Sequence, residues 1–136
     1  MIFCGCIFAQ QDSTQILGIA KIVKVYDGDT FYGDLYGVPS IFGKDIGIRL
    51  SGIDTPEINS SDSCNRVLAR QARDYLTQRL KGACKIELQK LSRDKYFRLD
   101  AIVYVDGINL NQEMVTKGYA KIYTGEGPRP VHTCSK

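Results

Sequence analysis

The stretch Arg49-Leu50-Ser51-Gly52-Ile53-Asp54-Thr55-Pro56-Glu57 puts a guanidinium at the start of an apolar run and two carboxylates in the turn that ends it. Pro56 fixes its own φ and drives Thr55 to extended geometry, so Asp54 and Glu57 are held in a set relation at a strand end. Arg49 adds a planar fork of donors suited to phosphate. Two acids and a guanidinium about one rigid turn suit a hard cation and a phosphodiester. The same residues are also ordinary surface-turn chemistry, and this stretch alone does not choose. Two further blocks, Tyr26-Asp27-Gly28-Asp29-Thr30 and Asp94-Lys95-Tyr96-Phe97-Arg98, add acids and bases of the same kind.

Elimination narrows the chemistry. His132 is the only histidine and sits in a Pro-flanked tail, an improbable anchor for a Ser-His-Asp triad or a Cys-His pair. The cysteines include Cys4-x-Cys6 but no C-x-x-C pair, which argues against a structural zinc site. No glycine-rich loop of the Walker type is present. Carboxylates and arginines remain, and they suit metal-assisted displacement at phosphorus. That reaction needs a water oriented or deprotonated and the charge building on the phosphoryl oxygens neutralised.

The elements that must position these groups follow from periodicity. Residues 17–26 read as a strand, with Ile19, Ile22, Val23 and Val25 apolar and β-branched. Asp27-Gly28 supplies a tight turn and Asp29 begins the return. Glycines and Pro39 between residues 33 and 47 predict a long hairpin loop. Residues 46–53 form the next strand. Asn59 to Ser63 is rich in N-cap residues. Residues 65–81 show helical spacing, with Leu68, Ala72, Leu76 and Leu80 every fourth residue and Gly82 as the stop. Arg66, Arg70, Arg73 and Arg79 fall mainly on its other side, a face that is either solvated or tracks a nucleic-acid backbone. Residues 84–91 and 98–105 are strands, residues 109–117 a short helix capped by Gly118, and residues 119–123 a last extended piece. The tail from residue 125 has no periodicity. The pattern alone gives an α+β domain.

At 136 residues the chain fits one domain with a real core: residues 16–125, preceded by residues 1–15 and followed by a tail at 126–136. A net charge of +3 permits an anionic partner without demonstrating one. No segment approaches the roughly 20 apolar residues that span a membrane.

The three blocks in this order resemble the staphylococcal nuclease family, whose signature is D-G-D-T, then R-L…D-T-P-E, then D-K-Y-G-R. The resemblance runs from about Ile19 to about Tyr123, and takes in Asp106-Gly107, Asn111, Val115 and Gly118-Tyr119-Ala120. It implies a five-stranded OB-fold β-barrel with two main helices, and five strands with a helix before the fourth are compatible with that. It further implies a calcium-dependent endonuclease acting on DNA or RNA as a monomer and leaving 3′-phosphate ends. Asp29 and Asp54 match the family's carboxylate ligands for Ca²⁺, and the Thr55 carbonyl its main-chain ligand. Glu57 matches the residue that activates or positions water, and Arg49 and Arg98 the pair that clamps the scissile phosphate. Lys95 and Tyr96 match contacts to a neighbouring phosphate, and Tyr123 a base-stacking position. Asp27 and Asp94 read as turn residues.

Phe97 departs from the pattern, because the family has glycine there; a position needing positive φ would strain it. The form Lys-Tyr-Phe-Arg resembles a branch of exported nuclease-like relatives. The alternative to an enzyme is a non-catalytic nucleic-acid- or protein-binding OB module, in which the acidic and arginine positions are usually replaced; here Asp29, Arg49, Asp54, Glu57 and Arg98 are all kept. Export, to the medium or a periplasm, would make the apolar residues 1–9 the end of a signal. It would also let Cys64 and Cys134, placed like cysteines of similar proteins, oxidise. Free thiols in a reducing cell are the other outcome.

Overall fold

Strands with one face inward and one outward build the molecule, and β6 (Leu99–Val105) shows this most simply: Leu99, Ala101, Val103 and Val105 are buried while the residues between them are not. The structure, a computed structural model, describes residues 15–134; the apolar run at residues 1–9, read as part of a signal, lies outside them with Cys4 and Cys6. Strand β1 (Leu17–Val25) turns through Asp27-Gly28 into β2 (Thr30–Leu35), which pairs with β3 (Ile46–Leu50). β1 also pairs with β5 (Ile86–Arg93), and β5 with β6. A parallel pairing of β3 with β6 closes the order β3-β2-β1-β5-β6 into a five-stranded barrel, the OB architecture implied by the resemblance. Phe31, Ile48, Leu50, Leu88 and Val103 fill it.

Among the boundaries that differ from the sequence reading, three have a clear local reason. The loop expected between residues 33 and 47 is shorter, because β2 continues to Leu35 and a single helical turn, α1 (Ser40–Gly43), follows Pro39. The strand expected at residues 46–53 is broken: β3 stops at Leu50 and a two-residue β4 (Ile53–Asp54) resumes after Ser51-Gly52, where Gly52 takes φ +77°. The long helix α2 (Ser63–Lys81) starts earlier than residue 65, because the Asp62 side chain accepts from the Cys64 N–H. Gly82 does end it, but in a right-handed conformation rather than the left-handed cap.

Ala69, Ala72, Leu76 and Leu80 of α2 face the core. Its arginines do not make one free basic face. Arg66 donates to the Ser60 and Ser61 carbonyls, and Arg79 forms an ion pair at 2.7 Å with Glu113 of α3 (Leu110–Thr116). Helix α3 follows a short β7 (Ile108–Asn109) and ends at Gly118 with φ +81°. There the Gly118 and Tyr119 N–H groups return to the Val115 and Met114 carbonyls, a complete Schellman cap.

Asn111 ties this helix to the turn that carries the carboxylates. Its buried side chain accepts from the Val103 N–H at 3.0 Å and donates to the Ser51 and Ala101 carbonyls at 2.9 and 3.0 Å. One amide thereby fixes β6, α3 and the β3–β4 bend together. Asn111→Ala orphans the Val103 N–H and is expected to cost about 1–3 kcal/mol. A urea unfolding midpoint equal to that of the unmodified chain would contradict this.

Candidate active site

The residues singled out from the sequence gather in one groove of about 630 Å³, which Asp29, Arg49, Asp54, Thr55, Glu57, Lys95, Tyr96, Arg98 and Tyr123 all line. Strand register does most of this. Thr30 lies opposite Arg49, and Arg49 opposite Asp100, so the β2, β3 and β6 positions form one row at the barrel mouth.

Asp29 and Asp54 are both buried. Asp29 accepts from the Thr30 hydroxyl at 2.9 Å and from the Thr55 N–H at 3.3 Å, a bond that locks the first block to the Asp-Thr-Pro-Glu turn. Asp27 accepts from the Asp29 N–H at 3.0 Å, the turn role expected of it. Burial, and then the neighbouring Asp29 charge, push the Asp27 carboxyl up to about 7. Negative charge is therefore crowded where little water reaches it.

The arginines face this acid cluster. Arg49 donates to the Ile53 carbonyl at 2.9 Å, bracing the turn from within. Arg98 reaches Asp94 at 2.7 Å and approaches the Thr30 hydroxyl at 3.5 Å. Burial alone would raise the Asp94 carboxyl, but the Arg98 side chain and the Arg98 and Tyr96 N–H groups outweigh it and hold it below its usual value. Phe97 does adopt a positive φ, +64°. The strain is held because Asp94 accepts from both the Tyr96 and Arg98 N–H groups, and Arg93 donates to the Phe97 carbonyl. The side chain is 80% exposed, so phenylalanine costs backbone strain there and no clash. Lys95 and Arg98 lie 5.1 and 5.3 Å from the centre of the exposed Tyr96 ring.

Sequence reasoning allowed for the tail's far anchor, the Cys64–Cys134 pairing, but missed its course. From β8 (Lys121–Ile122), which pairs with β4, the chain folds back across the groove instead of trailing away. Arg129 donates to Asp54 Oδ1 from Nε and Nη2 at 3.0 and 2.7 Å, and from Nη1 to Glu57. His132 Nε2 lies 2.9 Å from the other Asp54 oxygen. Burial would lower the Arg129 pKa, but the bonds and charges of Asp54 and Glu57 outweigh it and raise it. Cys134 is joined to Cys64 at the head of α2, while Cys84 is free and exposed. Tyr123, matched to base stacking, donates its hydroxyl to the Gly127 carbonyl at 3.0 Å. Asp100 was also missed; its Oδ1 is buried without a partner, and burial raises its pKa against the opposing Arg49 charge. Its only sequence signal is a polar residue within an apolar strand.

A family profile described as staphylococcal nuclease homologue matches residues 47–133. The chain belongs to the staphylococcal nuclease family. Relatives include an uncharacterized endonuclease of Haemophilus influenzae, 30% identical over 82% of this chain and 56% of its own length. A thermonuclease of Staphylococcus hyicus is 28% identical over 74% of this chain and 57% of its length. The chain thus spans little more than half of these curated relatives. The family match contains Arg49, Asp54, Glu57, Arg98 and the returning tail, and leaves Asp29 outside its bounds.

Gly28 sets how closely the first block approaches α2. A Cβ there would stand 2.6 Å from Ala72 Cβ and 2.9 Å from Thr55 Cγ2. Gly28→Ala is expected to cost about 1–3 kcal/mol through overpacking and to disturb the Asp29–Thr55 bond. Thermal melting checks the first effect; unchanged stability would mean that the turn has room to move.

Proposed function

We propose that this chain is a calcium-dependent phosphodiesterase: an endonuclease cleaving DNA, RNA or both and leaving 3′-phosphate ends. The observation that carries the reading is the convergence of Asp29, Asp54, Arg49 and Arg98 on one groove around the Asp-Thr-Pro-Glu turn. Two buried carboxylates and the Thr55 carbonyl are all-oxygen donors, which suits Ca²⁺ with waters completing its 6–8 ligands, typically at ~2.3–2.6 Å. Among the described residues no set of three His, Cys, Asp or Glu side chains is arranged to hold a metal, so the carbonyl and waters are part of this assignment. When bound, the cation supplies positive charge to a phosphoryl oxygen and to the attacking water.

The protein groups do the rest. Glu57, mostly exposed on the turn after Pro56, orients the water and takes its proton. Arg49 and Arg98 clamp the equatorial oxygens as their charge grows, and Arg98 assists the leaving oxygen. Lys95 and Tyr96 hold an adjoining phosphate, and Tyr123 borders the groove as a base platform. Among the described residues no helix is long and apolar enough to cross a membrane. Export to an oxidising compartment is part of the proposal, supported by the Cys64–Cys134 bond, as is a monomeric state.

One observation favours the rival reading, a binding module without turnover: both Asp54 oxygens are already engaged by Arg129 and His132. Kinetics of arginine variants separate the two. Lysine keeps the charge but loses the bidentate fork, and a clamp that tightens in the transition state governs turnover more than affinity. Arg49→Lys and Arg98→Lys should each lower kcat by roughly 10²–10³, the effect typical of losing one oxyanion donor. Affinity for a non-cleavable oligonucleotide should change far less. Glu57→Gln should lower kcat by ~10²–10⁴ with binding retained. Mild effects at all three positions would defeat the mechanism; no turnover in the unmodified chain, with affinity lost in the arginine variants, would establish the module.

A further inference from the structure

The segment after Tyr123 is built like a strap. It leaves the barrel paired through β8 to β4, the strand that ends in Asp54. Lys121 Nζ donates to the Val131 carbonyl and Tyr123 to the Gly127 carbonyl, which curl it back on itself. The Cys64–Cys134 bond then fixes its far end to the first turn of α2, with a Cα–Cα distance of 6.1 Å. Between these anchors Arg129 points at the acid cluster. It takes one Asp54 oxygen with two donors and Glu57 with a third, while His132 takes the other Asp54 oxygen. The Asp54 side chain is only 3% exposed, whereas that of Arg129 is 49% exposed. A buried carboxylate is thus neutralised by a cation that can swing out to solvent.

We infer that the strap is a tethered competitor for the cation site: the Arg129 guanidinium supplies the positive charge on Asp54 and Glu57 until a divalent cation displaces it. This rests on the calcium reading above and adds a built-in threshold to it. Asp54 cannot give the same oxygen lone pairs to Arg129, His132 and a metal, so engagement of the strap and cation loading oppose each other. The tether keeps the guanidinium at high effective concentration, in the millimolar range typical of short linkages, and so sets the cation level needed for opening. A strap engaged nine-tenths of the time weakens apparent cation affinity about tenfold. In the cation-free protein the same contact offsets the charge of the buried Asp54 carboxylate.

Competition makes two effects of opposite sign from one substitution, which a clamp on substrate would not. Calcium titration by calorimetry and thermal melting, with and without calcium, should be run on the full chain and on Arg129→Ala, whose exposed side chain is not needed for the core. The variant should bind calcium at least about tenfold more tightly, melt lower than the unmodified chain in chelator, and show a larger calcium-induced rise. Cys64→Ser/Cys134→Ser should shift calcium affinity in the same direction by a smaller factor, because the guanidinium is kept and its tether is not. Equal or weaker calcium binding by Arg129→Ala overturns the strap while leaving the cation site standing. Absence of calcium binding in both the unmodified chain and Arg129→Ala overturns the cation site and the strap with it.

Discussion

Two buried carboxylates lining one groove need positive charge, and most of the construction around the groove answers that need. Asp29 and Asp54 are both buried, Asp29 accepting from the N–H of Thr55, the residue after Asp54, and burial raises the pKa values of Asp27 and Asp100 in the same groove. Ionised groups so placed are costly unless they are paired or bind a metal. Arg49 and Arg98 line the same groove but spend donors on the Ile53 carbonyl and on Asp94, which fixes their orientation. The direct counter-charge to Asp54 comes from the far end of the chain. The proposed cation would answer this imbalance, and would let the groove accept the anionic backbone of a nucleic acid.

The scaffold explains why the imbalance is tolerated. The barrel closes where β3 runs parallel to β6, and Asn111 stitches that closure to the bend before Asp54. The bond to the Ser51 carbonyl holds the backbone that leads to Asp54 in place. On the other side, Asp94 accepts three donors from its own hairpin, so a strained phenylalanine can stand at positive φ without loosening Arg98. Strain and charge are held at the groove by order elsewhere.

Local pattern carried the parts of this structure whose causes are local. The alternation in β6, the four-residue spacing of α2 and the turn glycine Gly118 all reported on neighbours in sequence. The Asp-Gly-Asp, Asp-Thr-Pro-Glu and Asp-Lys-Tyr-Phe-Arg blocks could be brought together because their family order was legible, and they line one groove, with Thr30, Arg49 and Asp100 in one row of the barrel. The break at Ser51-Gly52 departs from the single strand read over residues 46–53, although a Ser-Gly dipeptide inside an apolar run is a turn signal. Arg129 was not legible. Its partners are 72 and 75 residues away, and a tail without periodicity gives no sign of which surface it covers. His132, set aside as unsuitable for a nucleophilic triad, rests on Asp54 for the same long-range reason. Cys134 was the one pointer that the tail returns to α2.

The central claim is that these acids and arginines cut phosphodiesters with the help of a bound cation. Incubation of the purified chain with single-stranded DNA, double-stranded DNA and RNA, in calcium and in chelator, tests it most directly when the product ends are analysed. Internal cleavage of at least one substrate in calcium, 3′-phosphate ends, and loss of cleavage in chelator are the expected results. Intact substrates under calcium, or cleavage undiminished by chelator, would contradict it.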